Sequence, residues 1–139
     1  MNTDYKSLIK KSLKAINYSY APYSKFKVGA AILTANNKIF SGSNIECASY
    51  SLTICAERVA AAKAISEGEI NFKVLAISTN KNKIVYPCGA CLQFLTEFSP
   101  DLKIILVKTE KEFEIHKLKD FLPKNFILKN FILKEITNE

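Results

Sequence analysis

The sequence predicts an α/β domain on a mixed, five-stranded β-sheet. Three observations carry that expectation. Helical and strand signals follow one another in the order helix, hairpin, helix, strand, helix, strand, strand, which calls for a sheet with helices packed on it. Two apolar runs, 72–78 and 103–107, are short and partly β-branched, as buried strands are. The chain has 139 residues, one domain's worth, so 1–139 reads as a single domain.

The elements justify themselves in order. Thr3 or Asp4 can cap a first helix that runs to about Tyr18, with Leu8, Ile9, Leu13 and Ile16 as its apolar stripe. Pro22 ends this region and opens a loop through Phe26. Residues 27–33 alternate through Val28, Ala30 and Ile32 as a strand does. Asn36-Asn37 signals a turn, and 39–43 reads as the partner strand of a hairpin. Loop chemistry follows from Asn44 to Ser51. Thr53 is placed to cap a helix over 54–66, which Gly68 stops, and its Ala60-Ala61-Ala62 run permits close packing. The strand at 72–78 belongs at the sheet's centre. Pro87 precedes a short helix over about 89–98. Residues 103–107 form another buried strand, 113–116 a short edge strand, and 118–122 a helical turn before Pro123. The tail repeats a pentapeptide, Asn125 to Lys129 and Asn130 to Lys134. Two copies do not make a solenoid, but they are apolar enough to need a surface to cover.

Composition narrows the function. Hydrophobic residues make up 48% and charged residues 24%, ordinary for a globular protein. No apolar run approaches the roughly 18–20 residues a membrane span requires. The N-terminus lacks the apolar core of a signal peptide, so the expected location is cytoplasmic and no membrane partner is expected. The net charge of +7 raises nucleic acid as a partner, but the lysines are scattered and interleaved with acids and apolar residues. They read as solvated faces, and no nucleic-acid partner is expected. Arg58 is the sole arginine.

The chemistry concentrates in two stretches, Asn44 to Arg58 and Pro87 to Cys91. Cys55, Cys88 and Cys91 offer three thiols, and Glu57 lies two residues past the first. A catalytic zinc takes three protein ligands and leaves its fourth position to water. A carboxylate that does not bind the metal can move that water's protons. Cys88 and Cys91 sit at one predicted helix start and Cys55 at another, where partial positive charge stabilises thiolates. Three thiolates around Zn²⁺ leave a formal charge of −1, which these helix ends and Arg58 can offset. Other readings stay open at this point. Cys47 could close an all-cysteine structural zinc site, although Glu57 and Arg58 then have no role. A Cys-x-x-Cys redox pair leaves Cys55 and Glu57 unexplained.

These motifs resemble those of cytidine deaminase, in particular the small homotetrameric type. The resemblance runs from the first helix to about Phe126. It rests on Tyr23 to Ala31, Asn44-Ile45-Glu46 with Ala48-Ser49-Tyr50, Cys55-Ala56-Glu57-Arg58, and Pro87 to Cys91 with Gln93. It implies a three-layer α/β/α fold and one Zn²⁺ per subunit on Cys55, Cys88 and Cys91. It implies hydrolytic deamination of cytidine and 2′-deoxycytidine to uridine and 2′-deoxyuridine, with release of ammonia, in pyrimidine salvage. By the same resemblance Glu57 is the acid/base residue, moving protons between water, ring N3 and the departing amine. Ala56 offers its backbone N–H to the pyrimidine O2, Phe26 packs against the base, and Asn44 and Glu46 bind the ribose hydroxyls. Arg58 supports the metal site. Each pocket takes residues from neighbouring subunits: Ala48, Tyr50, and the ring of Leu122-Pro123-Lys124-Asn125-Phe126. The spacing picks Phe126 over its repeat copy Phe131.

Two positions depart from the family. Leu92 stands where arginine often follows the last ligand, which removes one positive group from a thiolate-rich site. Cys47 stands where asparagine often follows the glutamate. Neither removes a ligand or the acid/base residue. Three other functions compete with the leading one: deamination of another aminopyrimidine nucleoside, an idle zinc-stabilised binding domain, and RNA or DNA editing. Asn44 and Glu46 favour a free ribose, intact ligands and Glu57 argue against idleness, and a tail closing over the pocket argues against a polynucleotide.

Overall fold

A computed structural model describes residues 5–128. Thr3, Asp4 and the second copy of the tail repeat, with Phe131, lie outside the described residues. The elements are α1 (Tyr5–Ala15), β1 (Val28–Thr34), β2 (Ile39–Ser43), α2 (Ala56–Ser66), β3 (Phe72–Thr79), α3 (Gly89–Thr96), β4 (Lys103–Val107), β5 (Phe113–Lys117) and α4 (Leu118–Phe121). Single 3-10 turns follow α1 at Ile16–Tyr18 and precede α2 at Tyr50–Leu52. The strand order is β2-β1-β3-β4-β5. β3 and β4 run parallel, and the other neighbours are antiparallel.

The sheet is covered on both faces. Val28, Ala30, Ile32, Leu75, Ile77, Ile104 and Leu106 pack under α2, α3 and α4. Ala31, Leu33, Val74, Ala76, Ile105 and Val107 pack under α1. This is why β1 is buried at every position, although only one face of it showed in the sequence as alternation. The result is the three-layer α/β/α arrangement. The stripe of α1 differs from the expected one. Its buried residues are Leu8, Ile9, Ser12 and Ala15, whereas Leu13 and Ile16 are only half-buried. In the second half of α1 small residues, Ser12 and Ala15, are the buried ones, because the helix there lies against the backbone of Gly29, where a Cβ would meet the Ser12 carbonyl oxygen at 2.0 Å.

α2 starts later than expected. Thr53 does not cap it; the Thr53 hydroxyl accepts the Cys47 backbone N–H at 3.2 Å. Ile54 is bridged to Ile45, so the chain is still extended there, and Cys55 takes the N-cap position at φ −70°, ψ 150°. Gly68, at φ +91°, follows the helix end as expected.

The topology delivers both site helices to one edge. β2 and β3 both pair antiparallel with β1 and therefore point the same way. α2 follows β2 and α3 follows β3, so the two helix N-termini stand at the same end of the sheet. An isolated helix of 11 residues is marginal in water, so α2 depends on its packing. Ala56, Ala60, Ala61 and Ala64 are fully buried, whereas Ala62 of the expected run is exposed. They lie on Gly42 of β2, where an added Cβ would stand 2.4 Å from the Ala60 nitrogen and 2.5 Å from the Ala56 carbonyl oxygen. Neither atom can give without moving the helix. Gly42→Ala is therefore expected to cost at least about 1–3 kcal/mol of stability. It should also weaken metal retention, because α2 carries Cys55 and Glu57. Thermal unfolding and zinc content matching the wild type would show that the contact is not tight.

Candidate active site and metal centre

A cavity of about 220 Å³ opens at that end of the sheet. Its walls include Phe26, Val28, Asn44, Glu46, Cys55, Ala56, Glu57, Ile77, Tyr86 and Cys88. Cys55 is the N-cap of α2 and Cys88 the N-cap of α3, both extended in backbone. Cys91 lies in the first turn of α3, and its backbone N–H donates to Cys88 Sγ at 3.4 Å. The sulfurs of Cys55, Cys88 and Cys91 all lie within 4.8 Å of one another.

The donor set fits zinc. Tetrahedral zinc with bonds of about 2.3 Å to sulfur places its sulfurs about 3.8 Å apart. Cys55 Sγ and Cys88 Sγ are 3.8 Å apart. Cys47 is not part of the cluster; its Sγ lies 3.8 Å from the Leu52 carbonyl oxygen. The donors therefore number three rather than four, the count of a site that keeps a position open.

The charges in the site lean on one another. The Cys55 thiol is lowered to about 5, first by the hydrogen bond from Cys91, with burial opposing and Arg58 and Cys88 adding to the fall. Cys91, the proton-keeping partner of that bond, is pushed upward by it and by burial. Metal binding displaces such a proton, because cysteine binds as thiolate. Arg58 Nη2 reaches Cys55 Sγ at 3.8 Å, and this contact raises the affinity of Arg58 for its own proton. The Arg58 Nε–H is buried and has no acceptor. The sole arginine is thus committed to the sulfurs. Glu57 is only 4% exposed. Its carboxyl is raised above its usual range, first by burial and then by the negative charge of Cys55. A carboxyl poised to hold and release a proton therefore stands beside the sulfur cluster.

The chain's relatives can now be set beside this geometry. Residues 2–107 match the family described as "Cytidine and deoxycytidylate deaminase zinc-binding region". The chain belongs to that family. It is 42% identical to the cytidine deaminase of Sporosarcina psychrophila, over 86% of this chain and 89% of the relative. It is 47% identical to a probable cytidine deaminase of Dictyostelium discoideum, over 73% of this chain and 71% of the relative. The crystal structure of cytidine deaminase from Burkholderia pseudomallei superposes with a TM-score of 0.82 at 38% identity, over 90% of this chain and all (100%) of that one. Zinc is the metal of the family region, and the sulfur cluster is where this chain can hold it.

The other predicted residues divide into two groups. Phe26, Asn44, Glu46 and Ala56 line the cavity. Asn44 is also structural: its Oδ1 accepts the Val28 N–H at 2.9 Å and the Ser19 hydroxyl, and its Nδ2 donates to the Phe26 carbonyl at 2.8 Å. One carboxamide N–H remains beyond those bonds. Glu46 Oε1 accepts the Ser24 N–H at 3.2 Å. As the first residue of α2, Ala56 has a backbone N–H without an acceptor inside its helix. Ala48, Tyr50 and Phe126 are exposed and stand outside this cavity. Tyr50 meets Tyr23 edge-on, with ring centroids 6.2 Å apart. Leu92 is 4% exposed and packs in the core under the sheet, so it fills space where a guanidinium would need partners. The sequence reading missed Tyr86, a wall of the cavity whose ring meets Phe121 at a tilt of 59°, centroids 5.8 Å apart. Its position two residues before Cys88 was the available signal.

Cys47→Ser should retain about one zinc per chain, because its sulfur lies outside the cluster. Cys88→Ser should lose most of its zinc, since it removes one of three donors. Atomic absorption on the two purified variants checks this, and depletion of the Cys47 variant alongside retention by the Cys88 variant would reverse the assignment.

Proposed function

We propose that the chain hydrolyses the exocyclic amine of cytidine and 2′-deoxycytidine, yielding uridine or 2′-deoxyuridine and ammonia, as a pyrimidine-salvage enzyme of the cytoplasm. The observation that carries this reading is a buried carboxyl, Glu57, beside three mutually close thiols in a cavity lined by an aromatic ring. Family membership and the named relatives supply the reaction class. Zinc held by Cys55, Cys88 and Cys91 supplies a Lewis acid that lowers the pKa of water there.

The chain's own residues do the rest. Glu57 takes a proton from the attacking water and delivers it to ring N3 as the water oxygen bonds to C4, then passes that oxygen's remaining proton to the amine, which leaves C4 as ammonia. Its raised proton affinity suits both directions of that traffic. The Ala56 N–H binds the pyrimidine O2 and Phe26 covers the base. Asn44, through its remaining N–H, and Glu46 bind the sugar hydroxyls. Arg58 and the N-termini of α2 and α3 offset the surplus negative charge of three thiolates. Walls of low polarity strengthen each of these interactions.

The reading includes a homotetramer whose pockets borrow Ala48, Tyr50 and Phe126 from neighbours. Tyr18, Tyr20, Tyr23, Tyr50, Leu52 and Ile54 support it, since each is between 40% and 72% exposed. So many large apolar side chains along the loops on either side of β1 and β2 mark a surface meant for burial. Among the described residues no helix is long and apolar enough to cross a membrane.

Glu57→Gln should keep its zinc while turnover of cytidine, followed by ultraviolet absorbance, falls on the order of 100- to 10,000-fold. Near-wild-type turnover by that variant would remove Glu57 from the chemistry. Multi-angle light scattering should give four times the chain mass of 15.6 kDa. A fully active monomer would end the shared-pocket reading.

A further inference from the structure

We propose that Gln93 is a positioning residue that sets where the Phe126 ring stands. Gln93 lies on α3, two positions past Cys91, and is half-buried. Its carboxamide grips both backbone polar groups of Phe126. Nε2 donates to the Phe126 carbonyl oxygen at 2.6 Å, and Oε1 accepts the Phe126 N–H at 3.2 Å. Only the oxygen can accept and only the nitrogen can donate, so the bonds dictate which way the amide points. Two points of contact fix direction as well as distance, as a neighbouring strand would.

The flanks show that this grip serves the ring. Leu122 packs against the core on one side, and Ile127 is buried on the other. Phe126 lies between them and is 59% exposed. A phenylalanine placed for ordinary packing would exchange those positions with its surroundings. Here the backbone is held while more than half of the residue is exposed, and Phe126 is not among the residues lining this chain's own cavity. The helix that makes the grip also carries Cys88 and Cys91 at its start. One rigid element thus holds two donors of one site and aims the ring offered to another. The inference rests on the reading that Phe126 serves a neighbour's pocket.

The test uses the zinc-replete full chain. Gln93→Met keeps the side chain's length and removes both hydrogen bonds. Gln93→Glu keeps an acceptor for the N–H and removes the donor. Gln93→Met is expected to raise KM for cytidine roughly 3- to 10-fold, the scale of one or two net hydrogen bonds, with a smaller change in kcat and no change in zinc content. Gln93→Glu, which sets a carboxylate oxygen against the Phe126 carbonyl oxygen, should raise KM at least as much. Phe126→Ala should also raise KM, and adding Gln93→Met to it should do little more, because a misplaced ring and a missing ring forfeit the same contact. If KM rises in Phe126→Ala, three results each overturn the role of Gln93 alone: an unaltered KM in Gln93→Met, loss of zinc from it, or effects that multiply in the double variant. An unaltered KM in Phe126→Ala removes the neighbour-pocket reading itself and the proposal with it.

Discussion

Three sulfurs within 4.8 Å of one another form a concentration of negative charge once they are thiolates, and the surrounding structure answers to it. Two helix N-termini point their unpaired N–H groups at that spot, and the Cys91 amide already donates to Cys88. The sole arginine spends its Nη2 on Cys55 and leaves Nε without an acceptor. Glu57 is raised partly because Cys55 is negative, so the charge that the helices and Arg58 hold in place also sets the carboxyl's proton affinity. Acid/base capacity and metal affinity are therefore one electrostatic system, and a change to any member moves the others.

That system requires the helix starts to be placed to within a fraction of an ångström. The placement comes from bare backbone contacts. α2 rests on Gly42 and α1 on Gly29, each at a separation that leaves no room for a Cβ. Alanines line the buried face of α2, so few rotatable side chains intervene between helix and sheet. Larger side chains would lift α2 and carry Cys55 away from Cys88. The long-range cores on both sheet faces hold these contacts closed.

The cavity brings the metal-binding thiols and the buried carboxyl together with polar side chains from the loops. Cys55, Glu57 and Cys88 line it together with Glu46 and Asn44. Ala48, Tyr50 and Phe126 are exposed and do not line it. Leu92 is taken up by core packing on α3, and Arg58 is the guanidinium that reaches the sulfurs.

The element order, the central strand and the three donor thiols were legible in the sequence, because periodicity and side-chain chemistry are local properties. β4 fell on 103–107 as expected, and β2 on 39–43. What only the tertiary structure decided involves contacts that residue type and spacing do not specify. Thr53 has the residue type of a helix cap, yet its hydroxyl serves Cys47, so α2 begins at Ala56. Cys47 is as good a ligand by chemistry as Cys55, and only its distance from the cluster excludes it. Asn44 lines the cavity while most of its carboxamide is committed to Phe26, Val28 and Ser19. The grip of Gln93 on Phe126 spans 33 residues and leaves no pattern in either segment. For Asn44 and Gln93 the deciding hydrogen bonds exist only after folding has brought remote segments together, whereas for Thr53 and Cys47 the path of a single loop decides between residues of equal chemistry.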